Sequence, residues 1–304
     1  MKFGCTAYAF ALQSGIGVSS IFNLKALDYT AAITKAAKLG FKGASCIIQT
    51  KDMNDSAIMR LKETADSVCV TIVELVGLFG DNRLSSDKLE VREEGIIAFK
   101  ESAQAASKLG AKVLNIQSHD PFPYKPNPSA IWKDAIIKVD IPRGLDWKRV
   151  WDTYVQTIGR CADIAQDEGV LLAMEHHPFQ IVDNTNMNLK LIEDVGSENL
   201  GVCFDTAQAL MAVEIPALSI HKLKDRIFHT HLSDNLGSFS RPRHLTPGRG
   251  QMDWDGILKA LEDIGYDYFL SLEIQGSAET LDEEYSKGKT FLKNAADKLN
   301  IRIE

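Results

Sequence analysis

Two hydropathy textures alternate along this chain. Short, continuously apolar runs of about five to seven residues read as buried strands. They are Phe3–Tyr8, Gly43–Ile47, Val70–Val76, Lys112–Gln117, Val170–Glu175, Gly201–Asp205, Ile227–His231 and Phe269–Glu273. Between them lie longer amphipathic stretches with apolar residues at helical spacing: Leu27–Leu39, Asn54–Ser67, Leu89–Leu109, Trp147–Glu168, Met187–Val195, Trp254–Ile264 and a closing one at Leu281–Lys298. Five of these stop at a glycine (Gly40, Gly110, Gly169, Gly196, Gly265), the residue that can adopt the left-handed conformation ending a helix. The junctions "KLGFKG", "KLGAKV" and "DIGYDY" repeat this helix–glycine–strand chemistry. Strands that are apolar throughout, each followed by a helix, imply a parallel sheet covered by helices. Eight units of about 38 residues predict an α/β fold, a single (β/α)8 TIM barrel over 1–304, with a doubly wound open sheet as the rival architecture.

One segment breaks the alternation. Residues 118–146 contain Pro121, Pro123, Pro126, Pro128 and Pro142, a density that blocks a regular helix and stiffens the chain. In a barrel this segment leaves the C-terminal end of the fourth strand, the face where active sites lie, so it is expected to be a lid or binding wall; a surface excursion or an oligomer contact is the plainer alternative. A second polar, Gly- and Pro-rich stretch, "NLGSFSRPRHLTPGRGQMDW", follows the seventh strand on the same face.

Four successive strands in the second half end in a residue able to bind a metal: Glu175, Asp205, His231 and Glu273. In a barrel these ends converge near the axis. Three carboxylates crowded in a low-dielectric pocket repel, and a divalent cation relieves that repulsion. Oxygen-rich ligation with one nitrogen suits Mn2+ first, then Mg2+ or Co2+, with Zn2+ also accommodated. Each residue alone has a plainer reading. Asp205 before Thr206 can cap a helix, and His231 can be a hydrogen-bonded core histidine; it is the joint pattern that carries the metal.

The composition narrows the class. Asp and Glu (41) outnumber Lys and Arg (34), a net charge of −7 that argues against binding nucleic acid or an anionic membrane surface. No apolar run approaches the roughly 20 residues needed to span a bilayer. The opening "MKFGCTAYAF" lacks a signal-peptide core. Five cysteines without CxxC spacing read as buried thiols in a reducing, cytoplasmic setting.

The motifs "MEHHP", "FDTAQAL", "HTHLSDN", "PGRGQMDWDGIL" and "LSLEI", in this order and spacing, together with "AAKLGFKGAS" near the second strand, resemble the xylose isomerase-like TIM-barrel superfamily. The nearest branch is its sugar phosphate isomerase/epimerase group of ketose 3-epimerases, hydroxypyruvate isomerases and inosose dehydratases. The resemblance implies that Glu175, Asp205, His231 and Glu273 hold one divalent metal and that Glu175 and Glu273 flank the substrate. "EHH" is similar to the family's Glu-x-His, which makes His177 a substrate contact. In the ketose 3-epimerases an Asp-Thr-x-His motif places a histidine where this chain has Gln208. An acidic residue and an arginine of those enzymes are replaced by Ile181 and Gly237. Their substrate-gripping set is therefore absent, and specificity does not transfer.

The expected activity is isomerisation or epimerisation of a small sugar or sugar derivative. A metal on the carbonyl and neighbouring hydroxyl acidifies the adjacent C–H, an enediolate forms, and Glu175 and Glu273 remove and return the proton. The alternative is a lyase or dehydratase acting on a keto-cyclitol or 3-keto-glycoside at the same centre. His119, at the end of the fourth strand, is a candidate acid or base beside His177. Gln208, His229 and Arg249 are candidate substrate ligands, and Glu74 can also enter the pocket. Phe79, Phe122 and Tyr124 offer sugar-stacking surfaces, while Asp253 and Trp254 read as a helix start. An apurinic-endonuclease activity, found in another branch, fits poorly with the negative charge and with Gln208. A sugar-binding barrel without activity fits poorly with the complete ligand set. Barrels of this type pair through their loops, so a homo-oligomer belongs among the expectations.

Overall fold

The computed structural model describes residues 1–13, 29–48, 54–78, 81–121, 141, 143–237, 244–277 and 279–304. The strands are β1 (Lys2–Thr6), β2 (Gly43–Ile47), β3 (Thr71–Val76), β4 (Val113–Gln117), β5 (Leu171–Glu175), β6 (Leu200–Asp205), β7 (Ile227–Leu232) and β8 (Phe269–Leu272). All neighbours are parallel and β8 pairs with β1, so the sheet is a closed barrel in sequence order and not an open doubly wound sheet. Around it run α1 (Ala7–Gln13), α2 (Tyr29–Lys38), α3 (Asp55–Ser67), α4 (Leu89–Leu109), α5 (Trp147–Asp167), α6 (Thr185–Val195), α7 (Thr206–Met211), α8 (Pro216–Leu223), α9 (Trp254–Asp263) and α10 (Leu281–Lys298). Outward-facing strand residues and the inner faces of these helices form the main apolar core. None of the described helices is long and apolar enough to cross a membrane.

The first strand is shorter than its apolar run. It ends at Thr6, whose hydroxyl is anchored by Tyr285 and the Leu272 carbonyl, and the chain turns at once into α1. A continuous apolar run cannot distinguish strand from buried helix, and the alanines of "AYAFALQ" favour the helix here. The short helices α7 and α8 also lie outside the predicted elements. Helix ends follow the glycine rule: α4 closes on Gly110 (φ 75°) and α6 on Gly196 (φ 69°), both left-handed. Four cysteines are buried as expected, but Cys69 is exposed in the turn before β3.

The interior is layered. At the N-terminal end two glycines make room for aromatic plugs. A Cβ on Gly43 would sit 2.5 Å from the Phe269 ring, and one on Gly201 would sit 2.6 Å from the Phe228 ring. Above them Val113, Ala173 and Cys203 form a small apolar cluster. The upper interior is polar, and two β-bulges help to make it so. On β3 the register jumps from Ala44↔Ile72 to Ser45↔Glu74, leaving Val73 unpaired. On β7 it jumps from Val202↔Ile227 to Cys203↔His229, leaving Phe228 unpaired. An extra residue reverses which face of the strand the following side chains occupy. It sends Glu74 on one side, and His229 and His231 on the other, toward the barrel axis.

The expected lid cannot be followed through its length, because residues 122–140 and 142 lie outside the described residues. Phe79, Phe122 and Tyr124 lie outside them as well.

Candidate metal centre

At the C-terminal end of the barrel, Glu175 closes β5, Asp205 closes β6, His231 sits near the end of β7 and Glu273 follows β8 directly. One ligand atom from each lies within 4.8 Å of all the others. His231 Nδ1 is 3.2 Å from Glu273 Oε2 and 3.8 Å from Glu175 Oε2. The cluster is nearly sealed from solvent, with side-chain exposures of 4% for Glu175, 0% for Asp205, 2% for His231 and 15% for Glu273.

Asp205, His231 and Glu273 each have one atom held and one facing inward, whereas both oxygens of Glu175 are engaged. Asp205 Oδ1 caps α7, accepting from the backbone N–H of Ala207 (2.7 Å) and Gln208 (3.2 Å). His231 Nε2 lies 2.9 Å from Glu74 Oε2. Glu273 Oε1 accepts from the Tyr8 hydroxyl. Glu175 Oε1 is 3.2 Å from His177 Nε2, and its Oε2 accepts from the Asn115 amide at 2.9 Å. The inward atoms Asp205 Oδ2, His231 Nδ1 and Glu273 Oε2 are buried and have no hydrogen-bond partner among the described residues. Buried polar atoms without partners are costly, and three of them facing one another define a cradle for a cation. Ligand atoms that share one divalent ion through bonds of about 2.0–2.6 Å stand no more than about 5 Å apart, so a cluster within 4.8 Å is of a size to hold one.

The electrostatics agree. Burial, reinforced by the charges of Glu273 and Glu175, pushes the Asp205 carboxyl well above the usual range. Burial also opposes ionisation of Glu175 and Glu273. Their imidazole neighbours outweigh it: His177 and His231 hold Glu175 down, while His244 and His231, with Tyr8, hold Glu273 down. His231 is raised, because Cys203, Glu74 and Glu273 overcome the effect of its burial. Without a cation, protons on Asp205 and His231 therefore relieve the repulsion; a bound divalent ion would displace them.

The other predicted residues divide into three groups. His177 stands at the mouth of the cluster, 17% exposed, beside Glu175. Gln208, buried in the first turn of α7, reaches Asp205 through its backbone while its Oε1 has no hydrogen-bond partner among the described residues. His229 lies one layer down, fully buried, with Nε2 3.6 Å from Glu74 and 3.4 Å from Ser45 Oγ, so it lines the barrel core and not the mouth. Burial lowers its imidazole to about 4. Two residues are not brought to the cluster. His119 turns toward α5, its Nδ1 2.8 Å from the Tyr154 hydroxyl. Arg249 is half exposed and pairs with Glu284 on α10 at 2.8 Å. Asp253 caps α9 as expected.

Three contacts were not foreseen from sequence. His244 comes within 3.8 Å of both Asp205 Oδ2 and Glu273 Oε1, its Nδ1 also 2.9 Å from Ser233 Oγ. Its approach depends on the antiparallel bridge Asp234↔Leu245, which no local pattern announces. Asn115, two residues before the end of β4, faces the same side as the strand-end ligands, a period-two signal that could have found it. Tyr8 was placed in a strand; one turn into α1, it reaches Glu273 instead.

Comparison with known proteins agrees with the barrel fold. The family described as xylose isomerase-like TIM barrel matches residues 33–295. The uncharacterised protein MJ1311 of Methanocaldococcus jannaschii is 25% identical over 301 residues, covering 97% of this chain and 93% of its own. D-psicose 3-epimerase of Agrobacterium fabrum is 23% identical, covering 77% of this chain and 75% of its own. Inosose dehydratase of Lacticaseibacillus casei is 24% identical over 47% of this chain and 53% of its own. Among solved structures, a D-tagatose 3-epimerase-like protein superposes with a TM-score of 0.75 at 23% identity, covering 99% of this chain and 98% of its own. The IOLI protein with a binding zinc atom gives 0.72 at 19% identity, covering 98% and 99%.

Proposed function

Because this enzyme belongs to the xylose isomerase-like TIM-barrel family, we propose that it is a divalent-metal-dependent isomerase or epimerase of a small sugar or sugar derivative. Glu175, Asp205, His231 and Glu273 are the metal ligands in this reading. The observation that carries it is the cluster of four ligands brought together at consecutive strand ends, three of which, Asp205, His231 and Glu273, turn a buried, partnerless atom inward. A divalent ion there supplies Lewis-acid polarisation of a carbonyl and its neighbouring hydroxyl, which makes the adjacent C–H acidic enough to lose its proton.

The chain's own residues supply the proton handling. Glu175 and Glu273 are the two carboxylates that can take and return a proton from different sides of a bound sugar. Glu175 is held through both oxygens, by His177 and Asn115, and Glu273 through one, by Tyr8, so each presents a fixed orientation to the substrate. Both are held below the usual carboxylate range by their imidazole neighbours, so both are ionised at neutral pH. His177 at the mouth and Gln208 in the wall are the hydrogen-bonding contacts for the sugar hydroxyls. His119 and Arg249, turned away from the cluster, have no part in this scheme. Similarity to D-psicose 3-epimerase and to the zinc-containing IOLI protein supports the substrate class and the presence of a metal.

A second reading is dehydration. It is favoured by the similarity to inosose dehydratase and by His177, an imidazole at the mouth beside Glu175 that can protonate a departing hydroxyl. Metal analysis followed by solvent-deuterium exchange into ketoses, keto-cyclitols and keto-glycosides tests both. Isomerase or epimerase action gives label in a product of unchanged mass apart from deuterium, and dehydration gives loss of water. Absence of exchange with every carbonyl compound in the metal-loaded protein would remove proton abstraction from consideration.

A further inference from the structure

Beneath the four ligands lies a carboxylate that the scheme above does not use. Glu74 on β3 is fully buried, and its ion-pair partners within 4 Å among the described residues are two imidazoles and no lysine or arginine. Its Oε2 is 2.9 Å from His231 Nε2 and 3.6 Å from His229 Nε2; Ser45 Oγ lies 3.4 Å from the latter nitrogen. Glu74 cannot itself be a fifth ligand of the same ion. It meets His231 at Nε2, and the imidazole ring stands between it and the Nδ1 edge that faces Glu175 and Glu273. A buried carboxylate without a lysine or arginine is expensive to keep, and the β3 bulge at Val73 is the backbone departure that aims this one inward.

We infer that Glu74 is a positioning residue for the metal ligand His231. It accepts the Nε2 proton, leaving the Nδ1 lone pair as the donor to the ion, and holds the ring against rotation. Carboxylates behind ligating histidines fix tautomer and orientation in this way and raise the basicity of the donor nitrogen. The inference rests on the proposed metal centre and adds to it a residue that touches neither ion nor sugar.

The test uses the full chain, stripped with chelator and titrated with Mn2+ by calorimetry, alongside Glu74→Gln. The expected result is a loss of about 10- to 100-fold in Mn2+ affinity. Recovery of proton exchange at saturating Mn2+ and an unchanged unfolding transition for the metal-free protein should accompany it. A purely structural role would lower that transition instead and leave the affinity of the folded protein alone. Wild-type affinity in folded Glu74→Gln overturns the inference while leaving the metal centre standing. If the wild-type chain takes up no Mn2+, the metal centre falls, and this inference with it. A second measurement does not depend on the variant folding: 15N spectra of histidine-labelled wild-type protein loaded with diamagnetic Mg2+. A proton on Nε2 of His231 is expected, and a proton on Nδ1 would overturn the inference.

Discussion

Two aspartates show what makes a buried carboxylate a site. Asp205 and Asp234 lie on successive βα junctions, and both are essentially inaccessible to solvent. Asp234 is surrounded by donors: the backbone N–H of Asn235 (3.0 Å), Gly248 (2.8 Å) and Met252 (3.1 Å), and the Trp254 indole (3.0 Å). Both of its oxygens are satisfied, and the loop after β7 is wrapped around it. Asp205 spends one oxygen on a helix cap and turns the other toward two more carboxylates. Equal burial therefore has opposite meanings. One carboxylate is satisfied by the protein's own donors, and the other keeps an oxygen unsatisfied.

The largest test of that contrast is Asp205→Asn. Mn2+ binding and metal-dependent deuterium exchange should fall by roughly 10³-fold or more, measured by calorimetry and mass spectrometry. The metal-free protein should melt no lower than wild type, because the Asn amide oxygen can still cap the helix and the position carries no charge to desolvate. Asp234→Ala should do the reverse. It strands several buried N–H groups and costs about 3 kcal/mol or more in denaturant unfolding, while the protein that remains folded binds Mn2+ within a few-fold of wild type. Next in size is stabilisation by the ion. At one hundred times the dissociation constant, Mn2+ should add about 2.7 kcal/mol to the wild-type chain and to Asp234→Ala, and almost nothing to Asp205→Asn.

A smaller effect comes from Gly250, where an added Cβ would lie 2.2 Å from Asp234 Oδ1. Gly250→Ala should cost about 1–3 kcal/mol in the same unfolding measurement, with metal affinity preserved. The smallest concerns His119, a buried imidazole already satisfied by Tyr154. Burial lowers it to about 4 from the ordinary 6.5, so between these values the unfolded chain binds a proton that the folded chain does not. Stability should fall as pH drops from about 6.5 to 4, with His176 and His229 contributing in the same window, and His119→Gln should lessen that slope by no more than one proton's share without touching exchange activity. A large loss of exchange in this variant would return His119 to the catalytic machinery.

Much of this was legible in the sequence, for physical reasons that also mark where legibility stops. Strand-end residues could be read because the βα junction of a parallel barrel places them regardless of side-chain detail; hence Glu175, Asp205, His231 and Glu273. The two readings of Asp205, cap and ligand, do not exclude each other, since one oxygen caps the helix and the other is left free. The bulges at Val73 and Phe228 had no signature, because a register jump is a property of two strands together. Glu74 could thus be suspected of entering the barrel, but its engagement of His231 could not be derived. His244 stayed hidden because its position is fixed by a bridge across the loop, and Arg249 misled because its charge found Glu284 before it found the cluster.

The double duty of Asp205 has a consequence for how the centre moves. Its capping oxygen is pinned by two main-chain amides, so this carboxylate cannot pivot from a one-point to a two-point grip. Glu175 and Glu273 are restrained only by neighbouring side chains, which can rotate. In the proposed centre, any adjustment on sugar binding would fall to the two glutamates, with the aspartate corner held fixed.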